Sequence, residues 1–298
     1  MLRNTRIAEN AARQHSLKNV TIAAMQSSKA KTVGAEAQRG IQSVETGFPL
    51  LAALVDAAQP LTLRDLASRA SMTSAKAHPY LVSLIRVGLV QQDTVTGRYE
   101  LGPFALQMGL VGLQRSNPVR VALPYVDTLA DEVGHTLGIA VLGSHGPTMI
   151  HIREARYPVH VNMRNGTVMS MLHTATGRVF VAWLEPGVAR HYIERERSDE
   201  NVVASIGRPV RTAQEMTQLA QEIRDAGLAR ALGNPLPGID ALSVPVFDHS
   251  GRLAMALTCL GPASLFDAEP DGTLAHALKA CAADISRQLG FRQANHHL

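Results

Sequence analysis

Residues 62–88, TLRDLASRASMTSAKAHPYLVSLIRVG, decide the fold of the front of this chain. Leu63, Leu66, Ala67 and Ala70 recur at helical spacing, and Thr62 with Asp65 forms a capping box at the start. The polar turn SMTS follows. Thr73 or Ser74 then caps a second helix, whose stripe is Ala77, Leu81, Leu84 and Ile85. Two short helices joined by a tight turn form a helix-turn-helix pattern. Pro79 interrupts the second one. A proline removes a backbone donor, and inside a helix it costs about 3 kcal/mol or more. That cost falls if the helix proper starts near His78, with Pro79 at its first position. Residues 74–78 would then sit at a kink that aims Lys76 and His78 differently from a straight helix. A tolerated proline with no functional gain is the competing reading.

Outward from this stretch the pattern completes itself. Upstream, Phe48, Leu51, Ala52 and Val55 share one helical face. Downstream, GLVQQDTVTGRYEL reads as two short strands, with Gly88 ending the preceding helix and Gly97 supplying a left-handed residue in the hairpin. A hairpin in that place makes the helix-turn-helix winged. Ser71, Thr73, Ser74, Lys76 and His78 are small or donor-bearing residues around the helix start and suit contacts to base edges and phosphates. Arg98 on the wing suits a phosphate, or simply solvent.

Composition narrows the classes. The chain has 298 residues, 46% hydrophobic and only 4% aromatic, so its cores rest on Leu, Val, Ala and Met. The net charge of +4 is uneven: residues 1–40 hold seven Lys/Arg and two Asp/Glu, and residues 41–101 hold five of each. The basic excess therefore lies in a polar leader, read as a disordered tail over 1–39, with Met25 as a candidate true start. Bulk charge alone does not argue for nucleic acid. Cys259 and Cys281 make no metal or redox spacing and fit buried thiols in a reducing cytosol. No apolar run approaches the ~20 residues of a membrane span, which makes a cytoplasmic protein the simplest expectation.

The stretch 102–116, around GPFALQMGLVGLQR, is apolar nearly all round. Phe104, Leu106, Met108, Leu110, Val111 and Leu113 cannot all face one core. Burial against a twin subunit is the expectation, and with it a near-palindromic operator. From 117 to 291 the elements alternate. Helices are expected around PVRVALPYVDTLADEVG, TATGRVFVAWL and TAQEMTQLAQEIRDAG, the last with a capping box at Thr212 and Glu215. Strands are expected in HTLGIAVLG, PTMIHIREA, DALSVPVFD and RLAMALTCL. A final helix carries Leu274, Leu278, Cys281, Ile285 and Leu289. This is α+β with an antiparallel sheet, followed by a short tail, 292–298.

No catalytic set emerges. The His residues are dispersed, and no local spacing holds a metal. Ser170, His173 and Asp240 make a triad only on paper, with no nucleophile elbow. No enzyme activity and no cofactor are expected. The start of the helix around Thr174 to Gly177 is the best ligand candidate, because free amides there suit a carboxylate.

The ordered set SVETGFPLLAAL, LTLRDLASRASM, YLVSLIRVGLVQQD…GRYELGPFALQMG, MLHTATGR and GIDALSVPVFDHSGRLAMALTCLGP resembles the IclR family of bacterial transcriptional regulators over residues 40–291. The resemblance implies a winged helix-turn-helix over 40–101, a linker and dimerisation helix over 102–116 and a GAF-like effector domain over 117–291. It also implies binding to double-stranded promoter DNA as a homodimer or dimer of dimers, and a small organic acid as effector. Effector contacts carried over by position fall on Ala175 and Thr176 beside Gly177, on Ala231 and Asn234 in a loop, and on Ala241, Thr258 and Leu260. Ala241 stands where a cysteine is common and Leu260 where a serine is expected, so the implied pocket is more apolar and suits an aromatic or longer carboxylate. Pro79 and Pro49 stand where relatives often carry Arg. Two other readings stay open: a constitutive repressor whose second domain only dimerises, and an enzyme with an appended helix-turn-helix.

Overall fold

The computed structural model describes residues 40–155, 163–199 and 213–292, so the leader, the Thr212 side of the second capping box and the last six residues lie outside it. The chain divides into two compact units between Gly112 and Leu113.

In the first unit, α1 (Gln42–Ala57), α2 (Leu63–Arg69) and α3 (Ser74–Arg86) precede a hairpin of β1 (Val90–Gln92) and β2 (Tyr99–Leu101). The caps follow the sequence. Thr62 accepts the Asp65 amide and its hydroxyl donates to the Asp65 carboxylate at 2.7 Å. Thr73 accepts the Lys76 amide at 3.3 Å, so Thr73 and not Ser74 caps α3. Gly88 and Gly97 both have positive φ, at 74° and 67°, which lets the chain leave α3 and turn the wing without steric cost. The core is Leu50, Leu54, Leu66, Ala77, Leu81, Val90 and Tyr99 with their neighbours.

Two features of this unit go beyond what spacing fixes. Phe48, Leu51, Ala52 and Val55 share a face of α1 that is only partly covered, with Leu51 packed against the core. Gly47, Leu50, Ala53 and Leu54 are buried instead, while Phe48 is 64% exposed and Val55 43%. α1 has two apolar faces, and periodicity cannot choose between them. Secondly, α3 does not restart at His78; it runs unbroken from Ser74 to Arg86 with Pro79 inside it. Ser83 Oγ donates to the Pro79 carbonyl at 3.1 Å, the side-chain-to-backbone contact often seen where a helix bends.

α4 (Pro103–Arg115) contains no buried residue at all. Its Phe104, Leu106, Met108, Leu110, Val111 and Leu113 are all exposed within one chain. The burial expected of this segment is therefore not met inside the protomer.

The second unit opens with α5 (Pro118–Val133), capped by Asn117. Five antiparallel strands follow in spatial order β4–β3–β7–β6–β5. They are β3 (Thr136–Gly143), β4 (Gly146–Arg153), β5 (Ala229–Leu232), β6 (Ile239–Phe247) and β7 (Leu253–Pro262). One face packs on α5 and α9 (Thr273–Gln288), through Val126, Leu129, Leu242, Val244, Leu257, Leu278 and Ile285. The other packs on α6 (Ala175–Trp183), α7 (Pro186–Ser198) and α8 (Ala213–Ala226), through Met149, Val179, Phe180, Ile193, Ile223 and Ala256. Covered on both faces, β6 and β7 show long buried runs rather than alternation. Ala231 lies in strand β5, not in the loop where the sequence reading put it.

Candidate functional sites: a DNA-facing helix and the start of α6

On the first unit, Ser71, Thr73, Lys76 and His78 are exposed, and Ser74 is half-buried. Ser71 holds a positive φ of 55°, uncommon for a residue with a side chain. This lets the α2–α3 turn close through the Ser71 amide to Ser68 and the Met72 amide to Ala67. Ser71, Thr73, Lys76 and His78 thus sit on a tightly hydrogen-bonded turn and the first turns of one continuous helix. Arg98 is exposed, and its Nη1 donates to the Pro60 carbonyl at 3.2 Å, tying the wing to the α1–α2 connection. Asp93 organises the wing tip. Its carboxylate accepts the Thr96 and Val95 amides, and these bonds hold its pKa below the ordinary value.

On the second unit, the start of α6 is woven into a turn. Thr174 caps the helix by accepting the Gly177 amide at 2.9 Å and donates to the Ser170 carbonyl at 2.7 Å. Ser170 Oγ accepts the Leu172 and His173 amides and donates to Glu196 of α7. The same glutamate accepts the Met171 amide at 2.6 Å. Arg178 closes the far side, donating to the carbonyls of Leu172 and Arg230 at 2.9 and 2.5 Å. Gly177 is required by packing: a Cβ there would sit 2.0 Å from the Ser170 carbonyl oxygen. The close approach at this glycine is therefore made by the chain's own backbone. Ser170 donates to Glu196 and Asp240 accepts the Gly233 amide at 2.8 Å, while His173 Nε2 bonds to neither, so the paper triad is not assembled among the described residues.

Beneath α6 lies a patch of sheet. Ala231 pairs with Ala241 and Ala241 with Leu260, so three of the positions suggested by the family pattern form one row across β5, β6 and β7. Two residues along, on the same face of the sheet, Ser243 pairs with Thr258. The hydroxyls of Thr176, Thr258 and Ser243 form a chain at 2.8 and 2.9 Å, all at 2% exposure or less. Asn234, by contrast, is exposed in the β5–β6 loop. Ser243, Glu196 and Arg178 were not singled out in the sequence. Ser243 is detectable from alternation once Ala241 is placed facing α6, but nothing local announces Glu196. His173 Nε2 is buried with no hydrogen-bond partner among the described residues.

A groove of about 470 Å³ lies on the opposite side of the sheet, between α5 and α9, lined by Tyr125, Leu129, Glu132, Cys281 and Asp284 among others. Burial pushes the Cys281 thiol up to about 12, helped by the nearby carboxylates of Asp284 and Glu132. Burial raises the Cys259 thiol as well. Both cysteines are protonated at neutral pH, the opposite of what a nucleophilic or redox thiol needs. Among the described residues no group of three metal-ligating side chains occurs, and no helix is long and apolar enough to cross a membrane.

Comparison with known proteins bears directly on both units. The IclR helix-turn-helix domain profile matches residues 43–94, and the profile of the C-terminal domain of bacterial IclR transcriptional regulators matches 112–287. The chain is 29% identical over 254 residues to the glycerol operon regulatory protein of Streptomyces griseus, covering 85% of this chain and 98% of that one. It is 24% identical over 266 residues to the transcriptional regulator BhcR of Paracoccus denitrificans, covering 89% and 92%. The crystal structure of Pseudomonas aeruginosa HmgR superposes with a TM-score of 0.78 at 34% identity, covering 85% of this chain and all of that one. With a winged helix-turn-helix in front and an antiparallel α+β domain behind, each matched in order and nearly over its whole length, the chain belongs to the IclR family of DNA-binding transcriptional regulators.

Proposed function

We propose that this regulator binds a near-palindromic operator as a homodimer, and that a small carboxylate bound at the start of α6 changes its hold on the DNA. The observation that carries the effector reading is the chain of three buried hydroxyls, Thr176, Thr258 and Ser243, running from the sheet to the first turn of α6 in an otherwise apolar layer. Three hydroxyls in a row use two of their protons on each other. The third is free to turn toward an acceptor, and Ser243 has only the Leu257 carbonyl, at 3.4 Å, as an alternative. An anion at a helix start also gains from the helix dipole and from the first-turn amides that the Thr174 cap leaves over, Gly177 being taken. Ala231, Ala241 and Leu260 surround these groups with apolar surface, which favours an aromatic or longer acid over a very small one. Coupling to DNA requires only that the ligand prefer one of two arrangements of the reading heads. The protein would work in the cytoplasm beside its operator, without a cofactor or catalytic activity.

One observation favours the constitutive alternative: Ala175, Thr176, Ala231, Thr258 and Leu260 are each 5% exposed or less, packed as a core is packed. A thermal-shift series of aromatic and aliphatic carboxylates separates the two. A true effector raises the melting temperature in proportion to the logarithm of its excess over Kd, and Thr258→Val abolishes that rise. A second domain that only dimerises gives no shift with any acid.

A further inference from the structure

We infer that Pro79 reads a thymine methyl group in each half of the operator. The inference rests on the DNA-binding reading of α3, and its test keeps the two apart. Pro79 is the sixth residue of a helix capped at Thr73. At about 100° per residue it lies about 160° from Ala77 and from Leu81, the two buried residues of α3. It therefore occupies the middle of the face opposite the core. Ala75 and Arg86 share that face within about 40°, and all three are exposed. Lys76 and Ser83 lie to one side and His78 to the other.

The chemistry at the centre of this face is unusual for a helix that reads DNA. The pyrrolidine ring offers no donor and no acceptor, and its nitrogen carries no hydrogen. The neighbouring hydroxyl does not compensate, since Ser83 Oγ is turned back onto the Pro79 carbonyl. Nor does the proline serve the fold. It is outside the core, it is not at the first helical position, and it forfeits the helix bond to the Ala75 carbonyl. A residue that breaks the local rule on an exposed face, framed by cations and donors, points to the surface that the helix meets. In the major groove only one base-edge group is apolar, the C5 methyl of thymine. A ring held between Lys76 and His78 can bury that methyl while the flanking donors take phosphates or polar edges. An arginine at this place would pair well with guanine, whereas the proline ring selects an A·T pair.

The test uses the full-length chain. Duplexes are enriched from a random pool at fixed salt, and affinity for the enriched duplex is read by fluorescence anisotropy. Each thymine of a half-site is then replaced in turn by uracil, which removes the methyl and nothing else. One position per half-site should weaken binding by about four-fold, the value of one buried methyl group. Pro79→Ala regains the helical amide and so keeps α3 folded; its thymine-to-uracil ratio at that position should fall toward one. Pro79→Arg should shift the enriched base there toward guanine. Equal affinity of the wild type for every uracil duplex would overturn the inference, as would an unchanged ratio in Pro79→Ala. Failure to enrich any sequence would instead sink the DNA-binding reading, and this inference with it.

Discussion

Helices α4 and α6 are both apolar nearly all round, and their fates are opposite. In α6, seven of nine residues are buried, from Ala175 to Ala182 with only Arg178 excepted. In α4, none of thirteen is. Hydrophobicity alone made the two look alike. What differs is what the chain supplies around them: α6 has a sheet below it and α7 and α8 beside it, whereas α4 has nothing of its own on most sides. The glycines tell the same story. A Cβ at Gly177 would strike the Ser170–Met171 backbone, and one at Gly109 or Gly112 would meet nothing within 4 Å. An apolar helix with empty space around it suits a partner, and the homodimer proposed above would supply one in a second copy. The bare stripe of α1 and its N-cap residue, with Ile41, Val44, Phe48 and Val55 exposed, falls under the same argument.

The contrast can be broken most forcefully at α4. Leu106→Glu combined with Leu110→Glu places two charges one turn apart on the exposed stripe. Sedimentation should show self-association weakened by about a thousandfold, about 4 kcal/mol, because each change appears twice across a two-fold interface. The protomer's own unfolding should barely change, and a dimer that survives would remove α4 from the interface.

Next in size comes Gly177→Ala in α6. The clash is with backbone, which cannot swing aside, so the second unit should lose about 3 kcal/mol in urea unfolding. Full stability would contradict the close approach of Gly177 to the Ser170 carbonyl. Glu196→Gln probes the clamp that holds this turn. It replaces bonds from Ser170 and the Met171 amide to a charged acceptor, and about 2 kcal/mol should go. The effector-induced rise in melting temperature should shrink with it. The smallest effect sharpens the comparison from the other side. In the monomeric double-glutamate background, Gly109→Ala fills open space and removes a helix-interior glycine. It should raise stability by about 0.5–1 kcal/mol, where the same exchange at Gly177 lowers it.

Much of the frame was legible because local chemistry dictates it. Thr62 and Thr73 are caps whose hydrogen bonds span three residues, Gly88 and Gly97 turn where only glycine turns cheaply, and β6–β7 meet around a short turn. Failures came where the deciding partner is distant. α1 has two apolar faces, and the core chose the one with Leu50 and Leu54. β5 is four residues long and runs into GNPLPG, so it looked like loop. α7 has almost no apolar stripe, yet it contributes Glu196, which reaches back to Ser170 across 26 positions of sequence. The resemblance supplied Ala231, Ala241, Thr258 and Leu260 by position; only the sheet register makes Ala231, Ala241 and Leu260 one row and adds Ser243 beside Thr258.

The central claim is that two copies of this chain, joined through apolar surface that one copy leaves bare, read a defined DNA sequence. The most direct measurement is the affinity and stoichiometry of the full-length protein on an enriched duplex and on a scrambled duplex of equal length and composition, at physiological salt. A preference of about a thousandfold or more for the enriched sequence, with an even number of chains per duplex, is the predicted result. Equal affinity for the two duplexes, or a single chain bound to the preferred one, would contradict it.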